Sequence, residues 1–288
     1  MMRIAIASGK GGTGKTTVAV NLALTAQAQE PVSEGSVKFV DCDVEAPNAY
    51  LFLKPEITSR QKAGIPVPVV DESLCNGCRK CREICQFSAI TVLDKKTVLT
   101  FPELCHGCGG CSLVCPTAAI SEVEREIGEI EAGNAGGIEF FHARLNVGET
   151  MSPPLIRKLK AQASHSGDKT VILDCPPGTS CPMIESVKGA DLCILVTEPT
   201  PFGLNDLELA SGAIKQMGIR AAVIINRAGI GNGKVKEFCQ KARLPVWLEI
   251  PQSRKIAEAY SRGIPVVEAV PELKKEFEKI LLQSLSLK

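Results

Sequence analysis

The sequence predicts an α/β fold, a mainly parallel sheet flanked by helices with a small α+β unit inserted into it, on three observations. Residues 3–8, RIAIAS, are a short apolar run of the kind buried on both faces of a parallel sheet. Gly9-Lys10-Gly11-Gly12-Thr13-Gly14-Lys15-Thr16 follows at once, and a helical pattern then runs from Thr17 to Gln29. Similar short runs recur at 37–40, 170–173, 192–197 and 221–226, with helical stretches among them. Between the second and third of these strands, residues 75–115 carry CNGCRKCREIC and CHGCGGCSLVC, two copies of Cys-x2-Cys-x2-Cys-x3-Cys.

Length and composition bound what such a chain can be. At 288 residues there is room for one large α/β domain with a small insert, or for two domains. Hydrophobic residues make up 44%, enough for a proper core. A net charge of +1 gives no electrostatic reason to expect nucleic acid as a partner. No apolar run approaches the ~18 residues of a membrane span, and the N-terminus reads as a buried strand rather than a secretory signal. The expected setting is the cytoplasm, where 13 cysteines suggest metal chemistry more than disulfides.

The first loop matches G-x4-G-K-[ST] in the strand–loop–helix context that a phosphate loop requires. Gly9, Gly11, Gly12 and Gly14, with Thr13 among them, let backbone N–H groups curl around phosphates, and the helix N-terminus at Thr17 adds a favourable dipole. Lys15 is placed to reach the β- and γ-phosphates of ATP and the Thr16 hydroxyl to ligate Mg2+. The second lysine of GKGGTGKTT, Lys10, resembles the deviant Walker A signature of the MinD/ParA/nitrogenase-iron-protein superfamily. In that family the extra lysine reaches a partner subunit's nucleotide. The resemblance therefore implies a nucleotide-dependent homodimer, or a heterodimer with a paralogue, and makes Lys10 catalytic beside Lys15.

Two acidic strand ends follow the same logic. The strand at 37–40 ends in Asp41-Cys42-Asp43, and aspartates beside a phosphate loop can hold Mg2+ waters and orient an attacking water. This D-x-D resembles the family's switch I, which makes Asp43 the catalytic residue and Asp41 a support of the Mg2+ shell. Glu45-Ala46-Pro47 departs from the glycine usual there, so switch motion is expected to differ. The strand at 170–173 ends in Asp174-Cys175-Pro176-Pro177-Gly178, similar to switch II. By position Asp174 supports Mg2+ and the Gly178 N–H senses the γ-phosphate. Asn226-Arg227 resembles the family's adenine contact, and Pro251 a base-flanking residue.

Closely spaced cysteine trios suit iron–sulfur cubanes, whereas zinc sites usually come as separated pairs. The two runs, with the flanks CQFSAI and CPTAAI, form an internal repeat of about 30 residues similar to the half-unit of a two-cluster bacterial ferredoxin. In such ferredoxins the fourth cysteine of each run ligates the other cluster. The resemblance thus assigns Cys75, Cys78, Cys81 and Cys115 to one [4Fe–4S] cluster and Cys105, Cys108, Cys111 and Cys85 to the second. Gln86 stands where a proline is usual and removes no ligand.

The remaining stretches are structural expectations. Pro55, Gly64, Pro66 and Pro68 read as a linker over 55–68. Glycines at 133, 136 and 137 suggest a turn between extended segments, the second being 138–145, returning the chain to the parent sheet. Pro153-Pro154 opens a helix to about Ala163. Cys42, Cys193 and Cys239 read as core, and His142 and His165 as structural or exposed. Cys175 and Cys181 from two protomers could supply four thiolates at a dimer axis, as in the nitrogenase iron protein. Leu273, Phe277, Ile280, Leu281 and Leu285 form a stripe on a C-terminal helix whose mixed charges favour packing over membrane anchoring.

These parts imply an ATPase domain over 1–60 and 122–288 and a ferredoxin domain over 61–121. The expected activity is Mg2+-dependent ATP hydrolysis coupled to electron transfer toward an unidentified redox or target protein. Two alternatives are cluster assembly, although relatives of that type carry a Cys-x-x-Cys that is missing here outside the insert, and a MinD/ParA-like positioning switch.

Overall fold

The computed structural model describes residues 2–29, 37–93, 97–164, 170–231 and 233–287; the expectation for His165 lies outside them. The chain opens with β1 (Met2–Ala7), the glycine loop, α1 (Lys15–Gln29), β2 (Val37–Asp41), α2 (Tyr50–Leu53) and β3 (Glu56–Val70). The cysteine region holds α3 (Lys80–Ile84), β4 (Ile90–Val92), β5 (Val98–Thr100) and α4 (Gly110–Leu113). Then come β6 (Ile120–Ala135), β7 (Ile138–Leu145), α5 (Pro153–Ala163), β8 (Thr170–Asp174), α6 (Cys181–Val187), β9 (Leu192–Thr197) and α7 (Pro201–Gln216). The chain closes with β10 (Arg220–Ala228), α8 (Lys234–Ala242), β11 (Val246–Pro251), α9 (Arg254–Ser261), α10 (Val266–Ala269) and α11 (Pro271–Leu285).

Nine strands form one sheet in the order β11-β10-β9-β1-β8-β2-β7-β6-β3. From β11 to β7 all neighbours are parallel, and β6 and β3 extend the sheet antiparallel. Side chains alternate between two core layers, as strand geometry requires. Ala5 and Ala7 of β1 face a layer with Leu155 and Leu159 of α5 and Leu207 and Ile214 of α7. Ile4 and Ile6 face the opposite layer, built from α1 and from Leu273, Phe277, Ile280 and Leu281 of α11. The C-terminal stripe is therefore packed onto the sheet.

The linker expected over 55–68 is instead the edge strand β3, paired along its length with β6. Edge strands accept proline because only one side of their backbone enters the ladder. Pro66 and Pro68 are two residues apart, so both turn the same side of the backbone away from β6. The Pro66 carbonyl does point outward, toward Cys105 Sγ at 3.9 Å. At the other end of β6 the positive-φ pair Gly136 and Gly137 makes the tight turn into β7. Segment 138–145 is the expected strand, but it lies inside the sheet, between β2 and β6.

The far ends of β3 and β6 carry the cysteine lobe, residues 71–119. The 30-residue repeat is also a backbone repeat. Gly77 and Gly107 share φ of 72° and 65°, Arg79 and Gly109 share 63° and 71°, and Ser88 and Ala118 share 54° and 52°. Each left-handed pair turns the chain at the same point of the two cysteine runs, with α3 and α4 as equivalents.

Candidate functional site

The C-terminal ends of β1, β2 and β8 lie level, with Ile6 opposite Asp174 and Asp174 opposite Asp41. That alignment brings the glycine loop and both acidic strand ends to one cleft. Gly11, Gly12, Gly14, Lys15, Thr16, Thr17 and Asp43 line its floor, and Asn226, Arg227 and Pro251 its far wall. Four sequence motifs up to 240 residues apart therefore line one cleft. Pro177 of the switch II-like run also lines it, and Asn48, Ile250, Gln252, Ser253, Ile256, Ala257 and Tyr260 complete the lining with no motif that announces them. Ile256, Ala257 and Tyr260 lie on α9 and supply an apolar wall facing Asn226 and Pro251.

The charges on the floor are arranged for a cation and an anion. Asp174 is buried, and desolvation pushes its carboxyl up to about 7, opposed by the Thr16 hydroxyl and the Lys15 ammonium. Neither of its oxygens has a hydrogen-bond partner of good geometry. A buried acid left open in this way fits a Mg2+ shell, because a cation would supply the missing partner. Lys15 is also buried, which pushes its pKa below the ordinary lysine value against the pull of Asp174 and Asp43. Burial raises Asp43 as well, and Lys15 opposes that shift. The Thr13 hydroxyl is a further buried group without a partner.

Other residues expected at this site are used differently. Asp41 is fully buried, and its carboxylate accepts from the Asp43, Asn48 and Ala49 N–H groups, each at 3.1 Å. It fastens its own loop and does not line the cleft. Burial, followed by the Asp174 charge, pushes its pKa well up, and the N–H donors oppose this. Gly178 turns at φ 95° and gives its N–H to the Ser8 carbonyl at 3.0 Å. Asn226 Nδ2 donates to the Thr13 carbonyl at 2.8 Å, so it braces the phosphate loop. Gly14 is the glycine that permits this approach, since a Cβ there would lie 2.4 Å from Asn226 Nδ2. Gly9 is needed for a similar reason, its missing Cβ falling 2.3 Å from the Asp206 carbonyl oxygen. Lys10 pairs within its own chain with buried Glu198 at 3.2 Å, and Arg227 pairs with the same carboxylate at 2.6 Å.

The cysteine lobe encloses two cavities. One, of about 20 Å3, is lined by Cys75, Cys78, Cys81 and Cys115. The other, of about 20 Å3, is lined by Cys85, Cys105, Cys108 and Cys111. Each takes three cysteines from one run and the fourth from the other. N–H groups point at the sulfurs, Ala89 to Cys85 Sγ at 3.3 Å and Gly107 to Cys105 Sγ at 3.5 Å. Burial pushes the Cys81, Cys105 and Cys111 thiols up. Cys115 is lowered, because its hydrogen bonds from Thr117, Ala119 and Ile120 outweigh burial. Among the described residues no three His, Cys, Asp or Glu groups close on a point that could hold a single metal ion. Four thiols lining each cavity, with N–H donors aimed at sulfur, are the donor set that a cubane takes.

Cys175 and Cys181 do not form a pair. Cys175 is wholly buried near Cys42 and Cys193, and burial pushes its thiol well above the ordinary value. Cys181 is exposed at the start of α6. A four-thiolate site at a dimer axis is thus excluded for Cys175 by its place under the sheet. Cys42, Cys193 and Cys239 are core, as expected.

Residues 4–266 match the family described as the CobQ/CobB/MinD/ParA nucleotide binding domain. The protein MJ0578 of Methanocaldococcus jannaschii is 34% identical over 234 residues, 81% of this chain and 80% of its own length. An iron-sulfur cluster carrier protein of Synechocystis is 23% identical over 285 residues, 93% of this chain and 65% of its own. Among solved structures, the septum site-determining protein MinD of Pyrococcus horikoshii, complexed with Mg-ADP, superposes with a TM-score of 0.59 at 21% identity. That alignment covers 98% of this chain and 95% of that one, and the shared feature is the fold. With its phosphate loop, level acidic strand ends and parallel sheet, the chain belongs to the CobQ/CobB/MinD/ParA family and is a P-loop ATPase.

Proposed function

We propose that MgATP turnover at this site controls electron transfer through two [4Fe–4S] clusters, one in each cysteine cavity, and that the chain works as a nucleotide-dependent dimer. The observation that carries the cluster reading is the exchange of the fourth cysteine between the two runs, Cys115 into the first cavity and Cys85 into the second. In this reading the chain divides into an ATPase domain and an inserted cluster-binding domain.

Each residue's part follows from where it sits. The glycine-loop N–H groups and Lys15 hold the phosphates, and Thr16 and Asp174 hold the metal shell. Mg2+, when bound, neutralises charge that develops on the phosphates. Asp43 orients the attacking water, and Asp41 keeps the loop that carries Asp43 in place. Asn226, Arg227 and Pro251, with Tyr260 and Ile256, form the base slot. Lys10 must leave Glu198 before it can reach a partner's nucleotide.

The test is anaerobic iron and sulfide quantitation with EPR, with and without MgATP. About eight iron atoms per chain are expected, and Cys115→Ser should lose about half of them although it alters only the second run. Absence of iron after anaerobic preparation, or potentials and electron delivery that ignore MgATP, would overturn the proposal.

A second reading is favoured by one observation, the similarity to an iron-sulfur cluster carrier protein. A carrier would hand iron to an apo-protein. Incubating the iron-loaded protein with an apo-ferredoxin and then measuring iron in each separates the two, since an electron-transfer protein keeps its clusters.

A further inference from the structure

The loop after β2 and the second cysteine cavity are joined by one short strap, residues 145–152. Both ends of the strap hold that loop. The Leu145 N–H donates to the Val44 carbonyl at 2.9 Å, and the Ser152 hydroxyl donates to Glu45 Oε1 at 2.8 Å. Ser152 is 1% exposed and Glu45 is exposed, so the bond is buried at its serine end. Glu45 is two residues from Asp43, which faces the nucleotide cleft. In mid-strap the Asn146 N–H donates to the Ile127 carbonyl of β6 at 2.9 Å. Glu149 then grips the Arg125 guanidinium through both oxygens, Nη2 to Oε2 at 3.0 Å and Nη1 to Oε1 more closely.

Arg125 stands beside the second cavity. It pairs in register with Ile65 of β3, and the next residue, Pro66, offers its carbonyl to Cys105 Sγ. Ile65 and Pro66 also press on Gly107, where a Cβ would lie 3.2 Å and 3.1 Å from them. Opposite residues of the ribbon present their side chains to one face, so the Arg125 guanidinium leaves on the face where Ile65 meets Gly107. Its Nε is buried and unpartnered, so Glu149 is the carboxylate that balances it. An arginine near a cluster ligand stabilises the reduced, more negative form, and a carboxylate clamped on that arginine cancels the effect.

We propose that the strap 145–152 makes the potential of the Cys85/Cys105/Cys108/Cys111 cluster depend on nucleotide state, with Arg125 and Glu149 as its positioning residues and Ser152 as its tether to the switch loop. This rests on the cluster reading above. When nucleotide shifts the loop, the Glu45–Ser152 bond draws on the strap, the Glu149–Arg125 clamp loosens, and the freed guanidinium raises the potential. The ion pair is partly buried, with Arg125 23% and Glu149 11% exposed, so water screens it only in part and its displacement changes the field at the sulfur.

The experiment is redox titration of the anaerobic full-length protein by EPR, with MgADP, with MgATP and without nucleotide. In the unaltered protein the two clusters titrate separately and one shifts with nucleotide. Ser152→Ala is expected to keep its iron and its nucleotide-free potential and to lose that shift. Arg125→Gln is expected to lower the potential of the same cluster and Glu149→Gln to raise it, while the other cluster stays in place. Arg125→Lys, which keeps the charge but not the bidentate clamp, keeps the resting potential higher than Arg125→Gln. A full nucleotide shift in Ser152→Ala, or an unmoved potential in Arg125→Gln with its iron intact, overturns the strap while leaving the cluster reading standing. A missing shift in the unaltered, iron-loaded protein overturns both the strap and ATP control.

Discussion

Asp174 shows how much one side chain can be left waiting for a ligand. Its two oxygens are buried and unpartnered, and only Lys15 and Thr16 lie near to offset the charge. Binding that recognises the folded state stabilises it by mass action, about 2.7 kcal/mol at a hundredfold excess over Kd. A thermal melt should therefore show MgATP raising the midpoint of the unaltered protein, and the increment should vanish in Asp174→Asn and Lys15→Ala. His142 gives a pH prediction of defined sign. Burial holds its pKa below the ordinary imidazole value, and the Glu131 partner at 2.5 Å only partly opposes this. The unfolded chain, titrating near about 6.5, then binds the proton more readily than the folded one. The contribution of His142 to stability is complete above that pH and declines as pH falls below it. In melts between pH 7 and 5, His142→Gln should flatten the loss; an unchanged slope would refute the assignment.

At the scale of elements, β6 is the constrained part. It is squeezed between β7 and β3, and glycines make the fit possible. A Cβ on Gly133 would lie 2.1 Å from the Glu56 carbonyl oxygen, and one on Gly128 would lie 2.4 Å from the Arg144 oxygen. Both obstacles are backbone, which cannot rotate away. Gly133→Ala should cost about 1–3 kcal/mol in chemical denaturation, the usual range for overpacking. The prolines of β3 show why this ribbon was hard to read. Proline and glycine at 64, 66 and 68 carry a linker signal, and only the outward face of an edge strand makes them compatible with a sheet. The short apolar strands β8, β9 and β10 were legible because burial on both faces leaves them no polar alternation. Their loops were legible where a side chain does chemistry and not where α9 merely supplies Ile256 and Tyr260 as a wall.

For the whole molecule, the pairing of Lys10 with Glu198 matters most. The half-exposed lysine is held by its own chain, and a partner's nucleotide would have to compete with that carboxylate. On the dimer reading, Lys10→Ala should abolish ATP-dependent dimerisation in sedimentation experiments. Turnover should fall on the order of 10³-fold or more, in keeping with other cations supplied in trans. Full turnover in Lys10→Ala would place the lysine outside the reaction. Among the described residues no helix is long and apolar enough to cross a membrane. The stripe on α11 is spent on the second core layer.

The glycine loop, the two acidic strand ends and the two cysteine runs were readable in sequence, because each shows particular residue types at short fixed spacing. A phosphate cradle needs glycines and a lysine within eight residues, and a cubane needs three thiols within seven. Tertiary structure alone decided what those motifs are connected to. It put Asp41 onto its own loop, Cys175 under the sheet, and Lys10 on Glu198. It also ran the strap from Glu45 through Glu149 to Arg125, beside Cys105. The strap's side-chain contacts join residues 24 and 107 positions apart through hydrogen bonds and an ion pair that no local pattern encodes. They exist only because β3 and β6, which carry the cysteine lobe, belong to the same sheet as β1, β2 and β8 at the nucleotide cleft.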